Sequence, residues 1–166
     1  MVDTSAAIRR GHPIIFILFT ALSFITAVIA STLVSDYNSN NNAPSDGVNG
    51  AVRFLVFCGW WGFLFGILFT VFFLTGKGGI LTSIAGHGIW IFLTWLFFVA
   101  GAGALTNNVD GSCGNRGPSF PYCNSVKALE AFSWMAWIIL TLMLGIVAFV
   151  GAGSFRGGRS VKEGLA

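Results

Sequence analysis

Four long apolar runs constrain the fold of this chain more than any other feature of its sequence. They cover residues 13–34, 51–75, 80–105 and 126–151. Each run is long enough to cross the hydrocarbon core of a bilayer as a helix, which takes about 20 apolar residues. The sequence therefore predicts an all-α membrane protein, a bundle of four transmembrane helices that forms one domain over residues 13–151.

The composition supports this prediction. Hydrophobic residues make up 55% of the 166 residues and charged residues only 9%, whereas a soluble domain carries about 25% charged residues. Too few charges are present to cover a surface that faces water. The net charge of +3 is small and scattered along the chain, which argues against nucleic-acid binding.

The basic residues predict the orientation of the bundle. Four spans place the two terminal segments, residues 1–12 and 152–166, on the same side as the short turn 76–79. Six of the nine basic residues lie on this side: Arg9, Arg10, Lys77, Arg156, Arg159 and Lys162. Because Lys and Arg are enriched on the cytoplasmic side, we expect cytoplasmic termini, a basic cytoplasmic tail and two outer loops, 36–50 and 106–124.

The first run has a second interpretation as a secretory signal peptide, with Arg9 and Arg10 before it and cleavage after Ala30. The run exceeds the roughly 7–15 apolar residues of a signal-peptide core. We therefore interpret it as the first span.

Two cysteines lie in the second outer loop, at Cys113 and Cys123. Disulfides persist in the oxidising space outside the cytoplasm, so the pair predicts a disulfide-bridged loop and agrees with the orientation given by the basic residues. Two free thiols are the alternative. Cys58, inside the second run, is expected to be a small buried apolar residue.

Small residues predict where the first two helices pack. Gly59, Gly62 and Gly66 share one face of the second run, and the first run carries a similar stripe of Thr20, Ser23, Ala27 and Ala30. Small residues let two helix backbones approach closely in a membrane. We expect the two stripes to face each other, with homodimerisation through the same face as the alternative.

Ionisable residues within or beside the spans are candidate functional groups by default. Glu130 is the one acid inside an apolar run, with Lys127 one turn earlier and Arg53 at a similar outer depth. A structural ion pair or interfacial position is favoured for Glu130 over a proton or ion site. His87, between Gly86 and Gly88, is interpreted as hydrogen-bonded to a neighbouring helix.

Aromatic residues form two further groups. Trp60, Trp61, Trp134 and Trp137 lie at a common outer depth, which favours an interfacial belt or helix packing over a stacked cluster against lipid, sterol or a partner. The phenylalanines of the second run, Phe63, Phe65, Phe69, Phe72 and Phe73, are expected to face acyl chains.

The order of these features resembles one known family. Four apolar runs are joined by a short turn at Gly76–Gly79 and by a cysteine-bearing loop. The fourth span then begins as Cys123-Asn-Ser-Val-Lys-Ala-Leu-Glu-Ala-Phe-Ser-Trp134. In this the chain resembles the MARVEL-domain family, particularly its small fungal members, over residues 13–151. The resemblance implies membrane organisation or service as a small subunit, and it brings no catalytic residues.

The expected function is therefore non-enzymatic. The sequence has no Ser-His-Asp set, paired carboxylates, phosphate loop or metal-ligand spacing, so we expect no cofactor or metal, and bound lipid or sterol as the candidate ligand. The expected partners are membrane lipids and either a larger integral membrane protein or further copies of the chain. The expected location is the plasma membrane or another secretory-pathway membrane. The alternative is a small transporter or channel that uses Glu130 and His87.

Overall fold

Four helices make up the regular structure of the described chain. The computed structural model describes residues 4–75, 84–109, 113 and 120–156. The helices are α1 (Thr4–Asn40), α2 (Asp46–Thr75), α3 (Ile84–Val109) and α4 (Cys123–Arg156). Each contains a stretch long and apolar enough to cross a membrane: Ile14–Asn40, Asp46–Phe72, Gly88–Val109 and Cys123–Phe149. The predicted fold class, an all-α bundle of four membrane-length helices, is confirmed.

The helices form a closed ring in which α1 and α3 each pack against both α2 and α4. The register of the contacts makes sequential neighbours antiparallel. On α1 and α2, Ala27 approaches Gly59 while the earlier Thr20 approaches the later Gly66. The bonds from Trp61 to Thr94 and from Trp134 to Thr106 fit the same up-and-down order.

The first outer connection is shorter than predicted, because α1 runs to Asn40 and α2 starts at Asp46. Asn41 ends α1 with φ 47°, a left-handed conformation that asparagine adopts more readily than most residues and that commonly ends a helix. Ser45 starts α2 as its N-cap, since its Oγ accepts from the Val48 backbone N–H at 3.2 Å. The polar residues that suggested a long loop are largely helical.

The start of α1 also differs from the prediction, because the helix begins at Thr4 and passes through Pro13. The sequence suggested a start at Pro13, since proline fits the first turn of a helix best. Inside a helix it removes one backbone hydrogen bond, a loss that does not end α1 here.

The second outer connection is bridged as predicted. Cys113 and Cys123 form a disulfide with their Cα atoms 5.6 Å apart. α3 extends to Val109 and α4 starts at Cys123, so both ends of the predicted loop are helical. Tyr122 comes directly before α4 and has a φ of 57°. Its backbone carbonyl oxygen accepts a hydrogen bond from the Val126 backbone N–H at 3.0 Å.

The aromatic core includes one side chain that the sequence assigned to lipid, Phe69. Phe69 is 2% exposed, and its ring lies 4.9 Å from that of Trp90. Phe19 crosses the bundle to meet Trp90 and Phe98 in edge-to-face contacts. The expectation that the phenylalanines of α2 all face acyl chains is therefore wrong at Phe69, because α2 is packed on both sides.

Several predictions fall outside the described residues. They are the turn 76–79 with Lys77, Arg116 in the cysteine loop, and the tail beyond Arg156 with Arg159 and Lys162. The orientation of the bundle in the membrane stays a prediction.

Candidate functional site

Helices α1 and α2 meet along a seam of small residues, which we call the glycine seam. It joins Gly59, Gly62 and Gly66 to Ala27, Ser23 and Thr20 in register. A Cβ placed on Gly59 would lie 2.6 Å from the backbone nitrogen of Ala27, and one on Gly62 would lie 2.6 Å from Ser23 Oγ. The structure thus brings the two predicted stripes together within one chain.

Two hydroxyls in this region are buried without a hydrogen-bond partner among the described residues, those of Ser23 and Thr26. Ser23 Oγ faces the α2 backbone at Gly62. A contact of this kind between a glycine backbone and an oxygen contributes a weak C–H···O interaction at close helix interfaces. The seam therefore depends on close packing and not on strong hydrogen bonds.

Tryptophan–hydroxyl pairs bridge three of the helix contacts, those of α1 with α2, α2 with α3 and α3 with α4. Four indole N–H groups each donate to a hydroxyl on an adjacent helix: Trp60 to Ser31 (3.2 Å), Trp61 to Thr94 (3.2 Å), Trp95 to Thr141 (2.9 Å) and Trp134 to Thr106 (3.0 Å). The hydroxyls of Thr94 and Thr141 in turn donate to carbonyls of their own helices. Each threonine thus uses its proton locally and offers its lone pair to a neighbour.

Glu130 accepts a hydrogen bond from the hydroxyl of one of these pairs. Thr106 Oγ1 accepts from the Trp134 indole and donates to Glu130 Oε1 at 2.6 Å. Among the described residues, Glu130 bonds to Thr106 and Arg53 bonds to Asn38 and Asn49, so the ion-pair form of the prediction is not seen. The interfacial position, which the sequence offered beside it, stays a prediction. The bond from Thr106 is available because α3 and α4 are held at close distance, which the spacing of charges along the sequence does not reveal.

Removing the Thr106 hydroxyl tests whether this network holds α3 to α4. Thr106→Val keeps the shape of the side chain but leaves Glu130 and the Trp134 N–H without their partner. We expect a loss of about 1–2 kcal/mol in the free energy of unfolding, measured in mixed micelles. Thr32→Val is the matched control, since Thr32 is exposed and bonds only to its own helix at Ile29 O. Equal stabilities for the two variants would contradict this role.

Arg53 belongs to a polar cluster at the end of the bundle where α1 connects to α2. Its guanidinium donates to Asn38 Oδ1 on α1 at 2.6 Å and to Asn49 Oδ1 on α2 at 3.1 Å. Nearby, Asn40 Nδ2 donates to the Tyr122 hydroxyl at 3.1 Å. These bonds and the disulfide tie α1, α2 and the start of α4 together at this end.

The four predicted tryptophans do not form one group. Trp60 lies against Phe24 of α1 and is 38% exposed. Trp61 contacts Phe65 with the ring centroids 4.3 Å apart, and its indole N–H donates to Thr94 on α3. Trp134 and Trp137 make an edge-to-face pair 5.4 Å apart. All but Trp60 are substantially covered by neighbouring helices, so helix packing accounts for them better than a lipid-facing belt.

Two residues complete the set singled out from the sequence. Cys58 is buried, and its Sγ approaches the Phe97 carbonyl at 3.6 Å. His87 lies on α3, and its side chain lies outside the described part.

An open apolar groove of about 330 Å³ lies between α1 and α2. Its lining is Ile17, Thr20, Ala21 and Phe24 from α1 and Phe63, Ile67, Thr70 and Val71 from α2. We call it the α1–α2 groove. It runs beside the glycine seam on the surface of the bundle. Neither the apolar periodicity nor the spacing of glycines in the sequence predicted this groove.

The sequence also missed the hydroxyl partners, which are Ser31, Thr94, Thr106 and Thr141. The sequence feature that could have predicted these bonds is a serine or threonine inside one apolar run together with a tryptophan in the adjacent antiparallel run. Since several registers would satisfy that pattern, only the packed bundle shows which pairs form.

The family comparison agrees with this geometry. The MARVEL family model, described as a membrane-associating domain, matches residues 7–149. Comparison with curated proteins and with solved structures gives no significant match.

Proposed function

Since the chain belongs to the MARVEL family of membrane-associating domains, we propose that it acts without catalysis, through contacts made inside the bilayer. It organises membrane domains, or it packs as an accessory subunit against a larger membrane protein. The chain is a multi-pass integral membrane protein. The disulfide supports a membrane of the secretory pathway, with the plasma membrane as the proposed location.

One observation carries this proposal, namely that the polar side chains of the spans bond from helix to helix while each helix presents large apolar side chains on its surface. Glu130 and four indoles are bonded from helix to helix. Each helix meanwhile presents large apolar side chains outward that are more than half exposed: Ile17 on α1, Leu64 on α2, Ile89 on α3 and Leu142 on α4. Such a surface meets acyl chains or other helices.

Reconstitution into vesicles with coexisting lipid phases tests the proposal against transport. We expect the protein to favour one phase and to change the size of the domains, with no proton flux above that of protein-free vesicles. Glu130→Gln and His87→Ala should leave the phase preference unchanged. A proton flux that disappears in Glu130→Gln would overturn the proposal in favour of a transporter.

Photocrosslinking in native membranes separates the two forms of the proposal. A crosslinking residue at the exposed Leu142 is compared with one at the fully buried Leu140 on the same helix. Capture of one larger protein in stoichiometric amount from position 142 alone supports the accessory role. Lipid adducts alone support direct organisation of lipid, and capture from both positions indicates a protein that has not folded.

A further inference from the structure

Two opposite charges lie within the spans without a charged partner among the described residues. Arg53 is exposed on α2, and its guanidinium donates to two neutral amide oxygens, those of Asn38 and Asn49. Glu130 is partly exposed on α4, and its described hydrogen bond comes from the Thr106 hydroxyl. An ionisable group within a span is costly unless it is paired, so each of these groups is suited to a partner of opposite charge.

The two charges lie at the same depth. Gly47 of α2 lies against Asn108 of α3. Because these helices are antiparallel, Asn49 of α2 is level with Thr106 of α3, and these two residues bond the guanidinium and the carboxylate respectively. The charges also lie at matching distances into their helices, about two turns from the start of each candidate span.

The two charges lie on opposite sides of the bundle. Arg53 bonds across to α1, which places it on the side formed by α1 and α2. Glu130 bonds across to α3, which places it on the side formed by α3 and α4. In the ring of helices these two sides are opposite each other. The width of the bundle therefore separates the two groups within one chain, whereas they can meet between neighbouring chains.

A second copy of the chain matches both charges. Because copies of a membrane protein share one orientation, the depth of Arg53 in one copy equals that of Glu130 in its neighbour. A guanidinium and a carboxylate form strong charge-assisted hydrogen bonds, and their attraction increases where the dielectric constant is low. A lipid headgroup would account for one of the two charges, whereas a second copy accounts for both.

We propose that copies of this chain associate head to tail in the membrane, through an ion pair between Arg53 of one copy and Glu130 of the next. The interface joins the α1–α2 side of one copy to the α3–α4 side of the other. Because two different sides meet, the contact can continue from copy to copy and form a row or a ring. This inference rests on the proposed in-bilayer function and identifies the partner as a second copy.

Charge reversal tests this proposal. Energy transfer between donor-labelled and acceptor-labelled full-length chains is measured in phosphatidylcholine vesicles over a range of protein-to-lipid ratios. We expect the unaltered chain to associate. Arg53→Glu, which leaves only acids at the contact, and Glu130→Arg, which leaves only bases, should each weaken the association about tenfold or more. A mixture of the two variants should regain it, because each contact between unlike variants then joins opposite charges.

Lys127→Glu is the matched control, because it changes the net charge as much as Arg53→Glu does and Lys127 is exposed on α4 outside the pair. It should not weaken the association. If a reversed charge lowers the thermal midpoint, Arg53→Gln and Glu130→Gln remove each charge while keeping a polar side chain, and both should also weaken the association.

Three outcomes would contradict the ion pair. The first is unchanged association in the two glutamine variants, or an equal loss in Lys127→Glu. The second is a mixture of reversed variants that stays monomeric although both keep their thermal midpoints. The third is an unaltered chain that is monomeric at every ratio, which would leave a lipid headgroup or another protein as the partner of each charge.

The inference and the proposed function can fail separately. The phase preference belongs to the single bundle, so Glu130→Gln should lose the association and keep that preference. A monomeric chain that still favours one phase or binds a larger protein would overturn the inference alone. A chain that associates without an effect on membrane domains and without a larger partner would overturn the proposed function alone.

Discussion

Gly59→Ala is expected to lower the free energy of unfolding of the bundle by about 3 kcal/mol. This is the largest loss that we expect from a glycine-to-alanine substitution in the glycine seam. The added Cβ would lie 2.6 Å from the backbone nitrogen and 2.7 Å from the Cα of Ala27. Backbone atoms cannot rotate away as a side chain can, so the two helices must separate along the seam. Reversible unfolding in mixed micelles, followed by circular dichroism, measures the loss.

Other glycines provide a graded control for this prediction. Gly62→Ala meets the hydroxyl of Ser23, which can rotate, and should cost less. Gly103→Ala has open space around its Cβ and should stabilise α3 by up to about 1 kcal/mol, because alanine favours helix more than glycine. If Gly59→Ala and Gly103→Ala change the free energy of unfolding equally, the glycine seam does not hold α1 to α2.

Loss of the disulfide is expected to cost about 3 kcal/mol in the loop-entropy account. The bridge joins residues 10 positions apart and fixes the chain where it enters α4. In the variant Cys113→Ser with Cys123→Ser, the thermal midpoint in detergent should fall. Treating the unaltered protein with a reductant should lower its midpoint to the same value.

Cys58→Ala controls for the remaining thiol, which is buried and apart from the bridge. This variant should keep the full response to reductant, whereas the double serine variant should show none. A reductant effect that persists without Cys113 and Cys123 would mean that another process sets the stability.

Some elements could be predicted from the sequence because a single strong physical effect determines them. Each apolar run has only one favourable environment, so the existence and order of four helices followed from run length alone. The disulfide followed from two cysteines in one short loop. The glycine stripe of α2 and the small-residue stripe of α1 were recognisable as contact faces because close approach in lipid requires small residues.

Other elements depended on weaker local signals. The chain from Asp36 to Gly50 was predicted as loop, yet Asn41 and Ser45 confine the irregular part to a few residues. A helix end is determined by a capping residue at a single position, whereas the loop prediction came from the average composition of many residues. The start of α1 before Pro13 was missed for the related reason that proline disfavours a helix interior without forbidding it.

By itself, the sequence determined that this chain crosses the bilayer as four helices and that it has too few charges to cover a surface facing water. Only the tertiary structure decided that Glu130 bonds to Thr106 and not to Lys127, that Phe69 is buried, and that a groove remains beside Gly66. The reason is that hydrophobic transfer acts on each run separately, whereas hydrogen-bond partners and grooves depend on the rotation and register of neighbouring helices.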